Sequence, residues 1–251
     1  MSYNIRYDNH WDKYNSWELR KKYVVQLFDE YAPSIIGIQE GLINQVQFID
    51  SCLVNYNYIG VGRDDGREKG EFCAIYFDTT RYFTTNYSTF WLSDTPDSIS
   101  IGWDAALERI CTYGLFTDKD SKEKFWIFNT HFDHLGVIAR EKSSMLILKK
   151  IHQVANLSIP IILMGDFNSI IGSTPINLII KELSDALQIS LEELKGPSGT
   201  FNGFNVKLPI EKRIDYIFTK NLTVQSYVHI NDRLENNRYI SDHLPVLIQI
   251  K

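Results

Sequence analysis

The sequence predicts an α/β (α+β) protein with mixed β-sheets, on three observations. Apolar runs of strand length recur along the chain, amphipathic stretches of helical period lie between them, and the strands come two or three together. One-for-one alternation would read as a single parallel sheet, whereas clustered strands read as antiparallel pairs joined to it.

The first helix spans Trp17 to Tyr31, where Trp17, Val24, Leu27, Phe28 and Tyr31 recur at helical spacing and Asn15 or Ser16 supplies the N-cap. A second helix covers Leu42 to Leu53 and a third Ile138 to Ala155. A short one follows Ser173-Thr174-Pro175, where proline suits an early helical position. The strand candidates are Ile35–Ile38, Phe72–Phe77, Ile110–Phe116, Phe125–Asn129, Ile159–Met164, Ile214–Phe218, Leu222–Val228 and Leu244–Ile250. Phe90 to Ala106, with Trp91, Asp94, Pro96, Gly102 and Trp103, reads as a long loop of the kind that often carries function. No repeat, low-complexity tract or linker breaks the chain, so residues 1–251 are expected to form a single domain.

Composition narrows the function classes. Apolar residues make up 44% of the chain, yet no apolar run approaches the roughly 18 residues of a membrane span. The formal net charge of −5 leans away from a protein that grips long nucleic acid, which usually carries a basic stripe. Arg20-Lys21-Lys22 and Lys149-Lys150 are the nearest approach to one, and both read as solvated helix faces. A small or compact phosphorylated substrate fits better, although a local patch inside an acidic total leaves a nuclease open. Cys52, Cys73 and Cys111 form no CxxC pair and are odd in number, so they read as buried small apolar residues. No secretion signal precedes the fold, which points to the cytoplasm, or to a periplasmic or secreted protein if a signal has been removed.

Several strands end abruptly in residues suited to metal or phosphate chemistry. Ile35–Ile38 runs into Gln39-Glu40, Phe125–Phe128 into Asn129-Thr130-His131, and Ile161–Met164 into Gly165-Asp166-Phe167-Asn168. Ligands of open α/β sheets bind beyond the carboxyl ends of strands, so these groups are expected at one edge. Ser241-Asp242-His243 precedes its strand and reaches the same edge if that strand is antiparallel. Singly, Glu40 reads equally as a carboxylate at a helix start, Gly-Asp-Phe-Asn as an Asx turn, and Ser-Asp-His as an edge-strand start. Jointly they read as a site.

Asn4-Ile5-Arg6, Gln39-Glu40, Asn129-Thr130-His131, Gly165-Asp166-Phe167-Asn168, Arg213-Ile214-Asp215-Tyr216 and Ser241-Asp242-His243 together resemble the endonuclease/exonuclease/phosphatase superfamily, of pancreatic-deoxyribonuclease-like fold. The motifs stand in the family's order and span nearly the whole chain. Trp91-Leu92-Ser93, Gly102-Trp103-Asp104-Ala105-Ala106 and His131-Phe132-Asp133-His134 resemble a bacterial branch of metal-dependent hydrolases with deadenylase-like relatives. The resemblance implies a four-layer α/β/β/α sandwich with two packed mixed sheets.

The resemblance also implies roles. Glu40 is the principal Mg²⁺ or Mn²⁺ ligand, with Asn4 beside it and Asp242 at or near the metal. A sparse protein ligand set suits Mg²⁺, which keeps several waters. Asp166 orients or deprotonates the attacking water, Asn168 donates to a phosphoryl oxygen, and Asp215 holds His243 in its useful tautomer. His131 contacts the phosphate and can act as acid towards the leaving oxygen, with Glu71 as its partner. Arg109 is read as a phosphate ligand, with a structural ion pair as its alternative. Trp91 and His134 complete the substrate-binding set, Asp133 and Arg140 lie beside it, and Tyr76 is core. Only three residues precede Asn4, so the first strand is expected to be short.

The expected function is therefore divalent-metal-dependent hydrolysis of a phosphodiester or phosphomonoester by direct water attack, carried out by a monomer. No phosphoaspartate motif or cysteine phosphatase loop suggests a covalent carrier. A DNA or RNA nuclease, which would need Trp91, Trp103 and Phe201 as stacking surfaces where each reads more readily as loop core, is the first alternative. A binding protein that has lost catalysis is the second, and the presence of Asp166, Asn168, Asp215 and His243 weighs against it.

Overall fold

The computed structural model describes residues 1–156 and 158–251. In chain order the elements are β1 (Ser2–Asn4), a 3₁₀ helix (His10–Asn15), α1 (Trp17–Tyr31), β2 (Ile35–Gln39), α2 (Ile43–Cys52), β3 (Tyr56–Ile59), β4 (Ile75–Asp78), β5 (Tyr82–Trp91), β6 (Ile110–Asp118) and β7 (Lys124–His131). The second half follows with α3 (Val137–Val154), β8 (Ile161–Asp166), α4 (Thr174–Ile179), β9 (Ser184–Asp185), α5 (Ala186–Ile189), β10 (Asp215–Lys220), β11 (Val224–His229) and β12 (Val246–Ile250).

Two mixed six-stranded sheets result, in the orders β11-β12-β1-β2-β4-β3 and β5-β6-β7-β8-β10-β9. The pairs β1–β2 and β7–β8 are parallel and the others antiparallel, as the clustered strands predict. Apolar residues divide into three layers. Trp17, Val24 and Phe28 of α1 and Val46 and Ile49 of α2 pack on Ile36, Ile38 and Tyr76 of the first sheet. Ile147 and Ile151 of α3 and Ile176 and Ile179 of α4 pack on Phe128, Leu163 and Phe218 of the second. Ile75, Phe116, Ile127, Met164, Ile217 and Val246 fill the space between the sheets. This is the α/β/β/α sandwich.

The sheets approach closely beneath one edge. A Cβ on Gly37 would lie 2.5 Å from Met164 Cε and 2.9 Å from Asn129 Cγ, so only glycine fits there. Asn129 Nδ2 donates across the gap to the carbonyls of Ile38 (2.8 Å) and Ala74 (2.9 Å), and Gln39 Nε2 donates to Asn129 Oδ1 (2.7 Å). Two of the polar strand-end residues thus staple the sheets instead of facing a substrate.

Some expectations are corrected. Arg20 is not on a solvated face: it is buried and donates to the carbonyls of Ile5, Ile240, Asn15 and Arg6. Cys73 and Cys111 are buried as expected, but Cys52, at the end of α2, is exposed. Phe90 and Trp91 end a ten-residue strand, so the loop begins only after them. Tyr76 is core, its hydroxyl bonded to Val46 O. β1 is short, as expected, and a cavity of about 790 Å³ lined by Met1, Ile35, Phe125, Ile162, Leu247 and Ile248 lies at the opposite strand ends from Asn4. Among the described residues, no helix is long and apolar enough to cross a membrane.

His229 in β11 gives the fold an acid sensitivity. It is buried, its Nδ1 donates to Pro197 O (2.7 Å), and burial lowers its pKa to about 4. The unfolded chain, with an ordinary histidine near 6.5, binds more protons between those values. Stability is therefore undiminished above about pH 6.5 and falls by up to about 3 kcal/mol as the pH drops through 4. Urea unfolding at a series of pH values checks this, and His229→Gln is expected to flatten that part of the profile.

Candidate active site

Strand register brings the polar ends together. His131 at the end of β7 stands beside Asp166 at the end of β8, and Asp215 at the start of antiparallel β10 stands on the other side of Asp166. In the first sheet Asn4 pairs with Gln39, and Glu40 follows at once. β12 is antiparallel to β1, so Ser241-Asp242-His243, just before it, lies at the same edge. Ser241 Oγ donates to Asn4 O (2.7 Å) and fixes that approach.

The β8 turn needs special backbone. Gly165 has φ +147°, and a Cβ there would sit 2.0 Å from Thr130 O. Glu40 (φ 64°) and Asn168 (φ 45°) hold left-handed conformations that non-glycine residues rarely adopt. Specific bonds hold each one. Tyr7 N donates to Glu40 Oε2 (3.1 Å), while Asn168 Nδ2 donates to Phe132 O (3.0 Å) and its backbone N–H to Asp166 Oδ1 (2.9 Å).

Asp166 is the node where the two sheets meet. Asn4 Nδ2 bridges Asp166 Oδ2 and Glu40 Oε1, each at 3.0 Å. His131 Nε2 lies 3.5 Å and His243 Nε2 3.7 Å from the same Asp166 oxygen. On the far side of the ring, His243 Nδ1 is 2.9 Å from Asp215 Oδ2. Burial, and then the Asp215 carboxylate, push the Asp166 pKa upward. Burial works against protonation of His243, but Asp215 and Asp166 outweigh it and raise its pKa well above the ordinary histidine value.

His131 contrasts with His243. Its Nδ1 faces Arg109 Nη1 at 3.2 Å and its Nε2 faces Asn168 Nδ2 at 3.2 Å, so both ring nitrogens meet N–H donors and the neutral ring accepts from only one of them. Burial, and then Arg109, pull its pKa down to about 3, leaving a neutral ring at neutral pH. Glu71 Oε2 is 3.6 Å from the same Nδ1 and is gripped by both terminal nitrogens of Arg63 at 2.7 and 2.9 Å. Arg109 is fully engaged: Nε donates to Asp133 (3.2 Å), Nη1 faces His131, and Nη2 donates to His134 Nδ1 (2.9 Å). The ion-pair alternative for Arg109 is thus present, and His134, half exposed, is its outlet to the cleft.

Asp133 anchors this wall. It accepts from the backbone of Ala106, Leu135 and Gly136, and despite burial these bonds and Arg109 hold its carboxyl down at about 2. Arg140 Nη1 donates to Asp133 O (3.0 Å). The structure places Trp91 below the cleft, buried with Cys73 and Ile110 and donating its indole N–H to Arg63 O.

The donor set of three carboxylates and two histidines, Glu40, Asp166, Asp215, His131 and His243, suits a divalent cation. Glu40, His131 and Asp166 each offer a ligand atom within 4.8 Å of the others, and so do Asp166, Asp215 and His243. Asp242 stands outside both groups and is linked to Glu40 through Arg6, whose Nη1 is 3.8 Å from Asp242 and 4.0 Å from Glu40. Burial pushes the Asp242 carboxyl up to about 6, with Glu40 adding to it against His243 and Arg6. Asn4 presents its amide nitrogen to Glu40 and Asp166, while its oxygen accepts from Arg6 N, so ligation through that oxygen requires the amide to turn.

Two contributors escaped sequence reasoning. Thr200 Oγ1 donates to Asp215 Oδ2 (2.5 Å) while accepting from the backbone N–H groups of Ile214 and Asp215. Arg63 has no motif around it and is recognisable only through its grip on Glu71. Phe201, a stacking surface only in the nuclease alternative, lies edge-on to His243 with ring centroids 5.1 Å apart.

The sequence profile of the Endonuclease/Exonuclease/phosphatase family matches residues 1–243. The chain belongs to that family. The endonuclease/exonuclease/phosphatase from Bacteroides vulgatus is 36% identical, with a TM-score of 0.94 and coverage of 100% of this chain and 97% of that one. The mannosyl-6-phosphatase of Bacteroides thetaiotaomicron is 35% identical, with a TM-score of 0.95 and coverage of 100% and 98%. An uncharacterized protein of Acanthamoeba polyphaga mimivirus is 31% identical over 248 residues, 92% of this chain and 91% of that one.

Proposed function

We propose that this member of the Endonuclease/Exonuclease/phosphatase family is a divalent-metal-dependent hydrolase that cleaves a phosphoester of a small or compact substrate by direct attack of water. The observation that carries the reading is Asp166, a buried carboxylate at the meeting of both sheets with Asn4, His131 and His243 around one of its oxygens. Phosphoryl transfer needs a positioned water and donors aimed at the phosphoryl oxygens. Asp166 Oδ2 orients that water and accepts its proton. Asn168 Nδ2 and His131 Nε2 lie 3.2 Å apart, and both side chains are assigned to the same phosphoryl group. His243, oriented by Asp215, holds a proton at Nε2 beside the reacting oxygens.

Mg²⁺ or Mn²⁺, held by Glu40 with Asn4 and Asp242 alongside, would neutralise charge on the nonbridging oxygens. A compact substrate is supported by the net charge of −5 and by the 35% identity to a mannosyl-6-phosphatase. The deciding experiment is a panel of phosphomonoesters (mannose 6-phosphate among them), phosphodiesters and oligonucleotides, each with Mg²⁺, Mn²⁺ or chelator. Metal-dependent turnover of the small esters is expected. Turnover confined to oligonucleotides would favour a nuclease, and turnover unaffected by chelator would sink the reading.

A further inference from the structure

Residues 5–16 form a loop that is tightly held yet buries little of itself. Arg20 donates to the carbonyls of Ile5, Arg6 and Asn15, Gln45 Nε2 to Arg6 O, and Arg238 Nη1 to Tyr14 O. Arg6 grips both oxygens of Asp12 at 2.9 and 3.1 Å, and Asn9 caps the 3₁₀ helix through Trp11 N. No residue of that helix is buried, and Trp11 and Tyr14 are each 72% exposed. Ordering a segment costs conformational entropy, and after Ile5, which joins the core, no side chain of the segment is buried to offset it. A rigid loop that spends its order on displaying an indole is pre-organised for something outside the chain.

The loop is tied to the site through Arg6. Trp11 adjoins Asp12, whose carboxylate holds the arginine lying 4.0 Å from Glu40 and 3.8 Å from Asp242. His10 tilts against the indole, with ring centroids 4.4 Å apart, and so covers part of its surface. What stays open suits one ring, not a run of stacked bases. The loop's polar groups are of both signs, the carboxylates of Asp8 and Asp12 against Arg6 and Lys13, with the Asn44 amide bonded to Asp8, a mixture that bonds well to hydroxyls.

We propose that Trp11, backed by His10, is the platform for the ring of the substrate's organic part, and that this part is a neutral, hydroxylated pyranose whose C–H face lies on the indole. The proposal rests on the phosphoester reading above, because the site's Asp166–Glu40 end takes the phosphate of the same molecule.

The test measures binding without turnover. The methylene-phosphonate isosteres of mannose 6-phosphate and of AMP, with glycerol phosphonate, are titrated into the Mg²⁺-loaded protein, with saturation-transfer NMR reporting which ligand protons touch it. In wild type, transfer is expected to the pyranose ring protons. In Trp11→Ala the ratio of mannose-phosphonate to glycerol-phosphonate affinity is expected to fall about tenfold, and Trp11→Phe to recover most of it. An unchanged ratio, or no transfer to the ring protons, overturns the platform. Stronger transfer to the AMP isostere than to the sugar overturns the pyranose assignment. Ring binding that depends on Trp11 in a protein with no turnover of any ester would instead count against the hydrolase reading alone.

Discussion

Asp166→Asn protein is expected to turn over its best phosphoester about a thousandfold more slowly than wild type, while melting near the same temperature. The substitution keeps the shape of the side chain and the Oδ1 that accepts from Asn168 N, and it removes the charge that orients water. Loss of the Oδ2 acceptor of Asn4 Nδ2 works against stability and relief of the buried charge works for it, so the melting temperature is expected to stay near that of wild type. Burial and the adjacent Asp215 already push the Asp166 pKa upward, which means the fold bears a cost for keeping this group ionised. A buried charge held against such a cost is a functional-site signature, and relieving it trades activity for stability. Initial rates on the phosphoester panel and a thermal melt give both readouts. Activity within tenfold of wild type would remove Asp166 from the water-orienting role. A large drop in melting temperature together with lost activity would make it a structural residue.

How much of this was legible in the sequence depended on whether a signal was local. The ends of β2, β7 and β8 were readable because a buried strand is a continuous apolar run, and a carboxylate, amide or imidazole at its end stands out at once. That Ser241-Asp242-His243 reaches the same edge depended on one topological fact, the antiparallel pairing of β12 with β1. β5 was hidden for the opposite reason. Its middle, Thr84 to Ser88, is partly or fully exposed at the sheet edge and carries no apolar alternation to mark it. Arg20 looked like part of a basic helix face because its neighbours are lysines, and nothing local shows that three loop carbonyls and Ile240 O wait for its guanidinium. Thr200 is the clearest limit. Its bond to Asp215 spans fifteen positions and a chain reversal, and its hydroxyl is forced to donate there by the two amides that occupy its lone pairs. Polar residues that position other polar residues leave no periodic trace.

Glu40→Gln tests the metal half of the site separately from the water half. In wild type, chelator is expected to bring turnover to the blank rate and Mg²⁺ or Mn²⁺ to restore it. Mn²⁺ at a hundred times its dissociation constant is also expected to stabilise the fold by about 2.7 kcal/mol, seen as a rise in melting temperature. Glu40 sits in a left-handed conformation, with one oxygen held by Tyr7 N and the other by the Asn4 amide, so its carboxylate is aimed before any ion arrives. Gln keeps the length and one acceptor oxygen but loses the charge that a hard cation requires. Mn²⁺ affinity by calorimetry should therefore weaken at least about tenfold, and the metal-induced rise in melting temperature should shrink with it. Asp166→Asn supplies the contrast. It leaves Glu40 and Asp242 in place, so much of its Mn²⁺-induced stabilisation should survive the loss of turnover. If instead both variants lose metal binding equally, Asp166 belongs among the ligands, as its place beside Glu40 and His131 allows. If neither loses it, the cation is held elsewhere and Glu40 serves the fold alone.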